Sequence, residues 1–237
     1  MQIEKFYSVD GDTITFSRAQ ASAFAKGVAD DFNPLHDPEA KLFCVPGDLL
    51  FAVALARYGV SRQMRVHFAG MVDGGVALHF PPNQGDELVI RDGAGRDYLR
   101  LERSGERSQQ RELIESLTSS YVTFSGHTFP DILVPLMAEY GVMINPDRPL
   151  VIYQRMEIAL ERLDSAPVAL EYRGATFENS GKKGSVSLNF DLTGAAQPLG
   201  RGAKYMLVRG LKPYDQAAME DVVARYHGLK ERFREEA

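Results

Sequence analysis

The stretch PGDLLFAVALARYGV, residues 46–60, constrains the fold more than any other part of the chain. Leu49, Leu50, Phe51, Val53, Ala54 and Leu55 make it apolar on nearly every helical face. Such a helix has no side to offer water and has to be covered all round. Ala52, Ala54 and Ala56 are small enough to let it lie close against a sheet, and Gly59 supplies a stop.

The segments that follow can provide the cover. RQMRVHFAGMVDGGVALHFP, DELVIRD, DYLRLERS and ELIESLTSSYVTFSG read as strands, with turn signals at PPNQGD, DGAGRD and RSGERS. One buried helix followed by long antiparallel strands describes a sheet wrapped around a helix. The pattern then returns. FPDILVPLMAEYGV resembles VPGDLLFAVALARYGV, with 9 residues from Asp to Tyr where the first copy has 10. Four more strand candidates follow it: PLVIYQRMEIALERL, PVALEYRGATFEN, KKGSVSLNFDLTG and LGRGAKYMLVRGL. The expected organisation is two repeats, residues 1–126 and 127–237, the second ending in a charged helix whose packing stripe is Val222, Val223, Tyr226, Leu229 and Phe233.

A chain of 237 residues can bury a real core in one large domain or two small ones. Its formal charge of -5 argues against nucleic acid or an anionic membrane surface as the main partner. The single cysteine, Cys44, rules out an internal disulfide and a cysteine-based metal site, and no cluster has metal-ligand spacing. The N-terminus lacks a secretory pattern, and no apolar run approaches the roughly eighteen residues of a membrane helix. A soluble cytoplasmic protein is expected.

Ahead of the buried helix lies a crowded polar stretch, DDFNPLHDPEAKLFCVPGDLL, residues 30–50. Ser17 is a plausible cap for a preceding helix that carries Ala21, Phe24, Ala25 and Val28 at helical spacing; Pro34 ends any continuation. HDPEAKLF is read as a second short helix, capped by Asp37 with Pro38 in its first turn. A turn needs Asn33 and Pro34 but not the neighbouring Asp31 and His36.

FAKGVADDFNPLHDPEA resembles the signature of MaoC-like, (R)-specific enoyl-thioester hydratases, which have the hot-dog fold. That signature runs roughly Gly-Asp-x-Asn-Pro-x-His, then Asp-Pro, and Asp31, Asn33, Pro34 and His36 fall on its positions. FPPNQGDELVIRD is similar to the family's Pro-rich, Gly-Asp strand opening, and the likeness spans about residues 12–125. It implies an α+β double hot-dog, two helix-in-antiparallel-sheet repeats with a C-terminal helix, the second repeat lacking the signature. It also implies hydration or dehydration of a 2-enoyl thioester by the pair Asp31 and His36. The substrate would arrive on coenzyme A or acyl carrier protein, with no other cofactor and no metal. The oxyanion would meet N–H groups at the buried helix's start, where Gly47 permits close approach, and Asn33 would hold the loop or a water. The assembly would be a monomeric pseudo-dimer or a homodimer.

Two departures keep other functions open. Asp30 stands where the family has Gly, and Pro46 and Asp48 flank Gly47 where His-Gly and an apolar residue are usual. Asp48 has three readings: a helix-capping acid, a general base, or a charge that opposes the oxyanion. The alternatives are an acyl-CoA thioesterase, with Asp31 or Asp48 directing water to the carbonyl carbon, and a non-catalytic acyl-thioester binding or regulatory module. Asn33, Pro34 and Gly47 also have purely structural readings, Cys44 reads as a small core residue, and His67 and His79 as ordinary strand residues. Lys182, Lys183, Arg201 and Lys204 read as a solvated face.

Overall fold

A computed structural model describes residues 2–236. The chain opens with β1 (Ser8–Asp10), β2 (Thr13–Thr15) and helix α1 (Arg18–Gly27). Ser17 caps α1 as expected: its hydroxyl accepts from Gln20 N–H, and the Gln20 side chain accepts from Ser17 N–H. Helix α2 (Gly47–Tyr58) is the apolar segment, and Leu49 through Leu55 are all buried. Strands β3 (Val60–Phe68), β4 (Leu78–His79), β5 (Glu87–Asp92) and β6 (Asp97–Ser108) complete the first half.

The second half contains α3 (Arg111–Gly126), the short α4 (Thr128–Asp131) and α5 (Leu133–Glu139), and β7 (Val142–Met143). Then come β8 (Leu150–Leu160), β9 (Val168–Ser180), β10 (Lys183–Gly194), β11 (Gln197–Arg209), β12 (Lys212–Pro213) and α6 (Gln216–Glu236).

Ten strands form one antiparallel sheet in the order β1-β2-β4-β5-β6-β3-β8-β11-β10-β9. The halves meet where β3 pairs with β8, with Met64 opposite Ile158 and Val66 opposite Met156. Outward from that seam the halves run in matching order, β3-β6-β5-β4 in the first and β8-β11-β10-β9 in the second, while β7 and β12 pair in a separate small sheet. This is a double hot-dog. Along β10, Val186, Leu188, Phe190 and Leu192 are buried while alternate residues face out, the period of a sheet covered on one side.

Two expectations, one in each expected repeat, are corrected. Glu112–Gly126 is helix α3 rather than a strand: Leu113, Ile114, Leu117, Tyr121 and Val122 share one buried helical stripe that outweighs the strand-like Thr, Val and Tyr content. It is also α3, packed against α2 and β9, that forms the second buried helix. The residues 129–142 that echo α2 form only the short α4 and α5 before Val142 enters β7; Phe129 has non-helical φ and ψ, and Pro130 and Pro135 interrupt any longer helix. The expected helix at HDPEAKLF is likewise absent. Pro34–His36 makes a 3-10 turn and Asp37 closes the next turn by accepting from Glu39 N–H.

The end of α3 rests directly on the first half. A Cβ on Gly126 would lie 1.6 Å from the Ala29 carbonyl oxygen, so only glycine allows this approach. The expected border between repeats, 126/127, lies at the end of α3, whereas the helix-then-strands order of the second half starts with α3 itself. Gly228, inside α6, has nothing within 4 Å of its would-be Cβ. Gly126→Ala is therefore expected to cost about 3 kcal/mol or more, and Gly228→Ala to add up to about 1 kcal/mol of stability, both read from urea unfolding. Equal effects would mean α3 can shift away from Ala29 freely.

Candidate functional site

The end of α1 delivers the polar loop. Val28 and Ala29 N–H groups both return to the Phe24 carbonyl, and Asp31 N–H bonds the Ala25 carbonyl at 2.8 Å. Between them Asp30 takes a left-handed conformation, φ +56°, which Asp tolerates better than most residues. Each polar side chain then fixes the next residues. Asp31 Oδ1 accepts from Asn33 N–H at 2.9 Å, and Asn33 Oδ1 accepts from Leu35 N–H at 3.1 Å. Pro34 opens the 3-10 turn that carries His36.

His36 is buried, and its Nδ1 lies 2.7 Å from the Cys44 carbonyl oxygen. A carbonyl can only accept, so Nδ1 carries the proton and Nε2 is left to face the Asp31 carboxylate, at 3.6 Å. The sequence pair Asp31 and His36 is thus brought together, while Asn33 and Pro34 shape the turn between them. Cys44 is half-buried, and burial pushes its thiol up to about 11, which leaves it protonated and unreactive.

The second wall is the start of α2. Leu49 and Leu50 N–H groups both reach the Pro46 carbonyl, so the N–H groups of Gly47 and Asp48 precede the first helical bonds. A Cβ on Gly47 would sit 2.8 Å from Tyr153 and 3.2 Å from Phe68, whose rings pack 4.3 Å apart. Glycine here makes room for this aromatic pair beside the helix start, where Gly47, Phe68 and Tyr153 all line the cleft.

Asp48 turns into the protein interior. Its Oδ2 accepts from Ser125 Oγ, at the end of α3, and Lys204 Nζ on β11 donates to the same hydroxyl. Lys204 is buried 4.4 Å above the Tyr153 ring, whose hydroxyl bonds that of Tyr121. Burial is the main cause that raises the Asp48 carboxyl; Lys204 and the Ser125 bond pull it down, and Asp31 pushes it up again. Burial, with the neighbouring Asp48 charge among the lesser causes, holds Tyr121 and Tyr153 well above the usual phenol range, so both remain neutral.

These second-half residues were not found by sequence reasoning, and Lys204 corrects the solvated-face expectation; Lys182, Lys183 and Arg201 are exposed as expected. A signal existed: Lys204 is in phase with buried Met206 and Val208, and pairs with Leu188 and Met156.

Both walls open on a cleft of about 560 Å³, within the range of small-molecule sites. Its lining also takes in Leu133, Ile144 and Met206 from the second half and Val222, Tyr226 and Leu229 from α6, with Asp147 and Arg225 as charged members. Among the described residues no group of three His, Cys, Asp or Glu could hold a metal ion, and no helix is long and apolar enough to cross a membrane.

Residues 1–217 match the family model described as Protein of unknown function (DUF3581). The chain belongs to this DUF3581 family. No curated protein matches it in sequence. Solved structures similar to this DUF3581 chain include a MaoC-like dehydratase, 11% identical with a TM-score of 0.42 over 86% of this chain and 98% of that one. The tesB protein of Mycobacterium avium subs paratuberculosis is 10% identical, with a TM-score of 0.44 over 87% and 96%. The dehydratase domain of PpsC from Mycobacterium tuberculosis, solved in complex with C12:1-CoA, is 10% identical, with a TM-score of 0.37 over 70% and 85%.

The buried Asp48 network generates a test. Because the folded state holds the Asp48 carboxyl above its unfolded value, it retains a proton there that the unfolded chain releases, and stability falls as pH rises through that interval. Lys204 opposes this. Lys204→Met is expected to cost about 3–5 kcal/mol at alkaline pH and progressively less as Asp48 takes up a proton in acid. Urea unfolding at several pH values measures it; a cost independent of pH would show that the ammonium does not compensate Asp48.

Proposed function

We propose that the cleft binds an acyl thioester and that Asp31 and His36 add water to a 2-enoyl group or remove it from the 3-hydroxy product. The observation that supports this reading best is the His36 geometry: Nδ1 is committed to the Cys44 carbonyl, so Nε2 faces Asp31 beside the apolar cleft. Hydration needs one group to take a proton from water as its oxygen bonds to Cβ, and one to give a proton to Cα. The Asp31 carboxylate and His36 Nε2, 3.6 Å apart, can both accept from one water lying beside them; as that water's oxygen bonds to Cβ, the group that takes its proton becomes the acid that hands the same proton to Cα.

The thioester carbonyl gains negative charge as Cβ is attacked, and the free N–H groups at the start of α2 are the donors suited to it. Asp48 does not oppose this freely, because Ser125 bonds its carboxylate and the Lys204 ammonium lies beside them, all three lining the cleft. The apolar residues of the cleft suit an acyl chain, and the carrier is coenzyme A or an acyl carrier protein. One chain supplies both walls, so one site per chain is proposed.

The test is loss of enoyl absorbance from short- and medium-chain trans-2-enoyl-CoA, with free thiol followed in parallel. Wild type is expected to lose absorbance without releasing thiol. Asp31→Asn and His36→Ala are each expected to lower kcat by roughly 10²- to 10⁴-fold while remaining folded. Thiol release would transfer the reading to hydrolysis. A rise in Tm with acyl-CoA and no chemistry would make the protein a binding module.

A further inference from the structure

We propose that helix α6 is a working part of the site and that Tyr226 is the positioning residue for Asp31; this rests on the hydratase reading for its kinetic arm only. The family match ends at 217, and α6 runs from 216 to 236, so almost all of this helix lies outside the matched region. Its inward stripe nevertheless meets the polar loop. Tyr226 is buried, with its ring edge-on to Phe32 and Phe129 at 6.0 and 5.2 Å.

The Tyr226 hydroxyl makes two bonds. It accepts from Phe32 N–H at 3.2 Å and donates to the Asp30 carbonyl at 3.3 Å. Those groups belong to the two peptide units on either side of the Asp31 α-carbon. With Asp31 N–H already bonded to Ala25, the backbone that carries the carboxylate is held at three points, two of them by one phenol from α6.

Asp30 explains how the helix is kept there. Its left-handed backbone would suit glycine, yet the position carries an acid. That carboxylate pairs with Lys230 Nζ, lies 3.1 Å from His127 Nε2 and 3.9 Å from Arg234. Phe233 adds an apolar contact, 5.7 Å from the Phe32 ring. The side chain of Asp30 anchors α6, and α6 returns a hydroxyl to the backbone around Asp31.

Tyr226→Phe keeps the ring and removes the hydroxyl. Two readouts need no substrate. Hydrogen exchange at the Phe32 amide is expected to accelerate strongly while amides of α2 stay protected. The His36 Nε2 nitrogen-15 signal is expected to move toward its value in Asp31→Asn, since the carboxylate no longer faces it squarely. In turnover, kcat is expected to fall roughly 10- to 100-fold with KM nearly unchanged, the signature of a displaced catalytic group. Lys230→Met, which loosens the anchor without touching Tyr226, should give the same changes to a smaller degree and serves if Tyr226→Phe does not fold. An unchanged Nε2 signal and Phe32 exchange rate in the variant would overturn the proposal, leaving α6 a cover alone. Absent turnover in wild type, with both magnetic-resonance changes present, would sink the hydratase reading and leave the positioning role standing.

Discussion

Helix α2 has no face it can show to water, and the molecule is arranged around that fact. Its side chains from Leu49 to Leu55 are buried by the first-half strands and by α3. Fully burying each large apolar side chain contributes about 1.5–3 kcal/mol, so leaving one side open would be prohibitive. The first half cannot cover its own helix completely. The β3–β8 pairing brings α3 and the second sheet to the uncovered side and makes the two halves one sheet with one main core. The start of α2, held at this junction, is therefore available as a cleft wall.

The same burial creates an electrostatic debt at Asp48. Placed in the first turn of α2, the acid suits the helix dipole, but it is taken almost wholly out of water. Among the described residues its Oδ1 has no hydrogen-bond partner, and an unsatisfied buried acceptor costs about 1–3 kcal/mol. Ser125 and Lys204, from α3 and β11, compensate the other oxygen. Hydrophobic replacements of buried ion pairs are often neutral or stabilising, so stability alone does not account for the network. Its geometric effect is specific: it ties the start of α2 to two elements of the second half.

Much of this was legible in the sequence where local chemistry decides structure. The Ser17 cap, the all-apolar α2, the four long strands β8 to β11 and the inward stripe of α6 follow from spacing alone. The turn from Asp31 to His36 was legible because each polar side chain bonds within a few residues of itself. What escaped was decided at long range. Helix α3 was mistaken for a strand because its Thr, Ser, Val and Tyr content mimics one, while the burial of its stripe depends on α2 and β9. The likeness of residues 129–142 to α2 misled for the opposite reason: similar letters, but prolines and a non-helical Phe129 prevent a long helix.

Lys204 and Asp30 show one rule from two sides. A lysine in phase with Met206 and Val208, and an acid at a φ that suits glycine, each violate the local preference of their position. Such violations persist only when a distant partner compensates them. For Lys204 the partner is reached through Ser125 to Asp48; for Asp30 it is α6, through Lys230. Both compensations converge on the cleft, one fixing the start of α2 and the other the loop that carries Asp31. The residues least at home in their own segments are thus those that join the two halves and the last helix into one site.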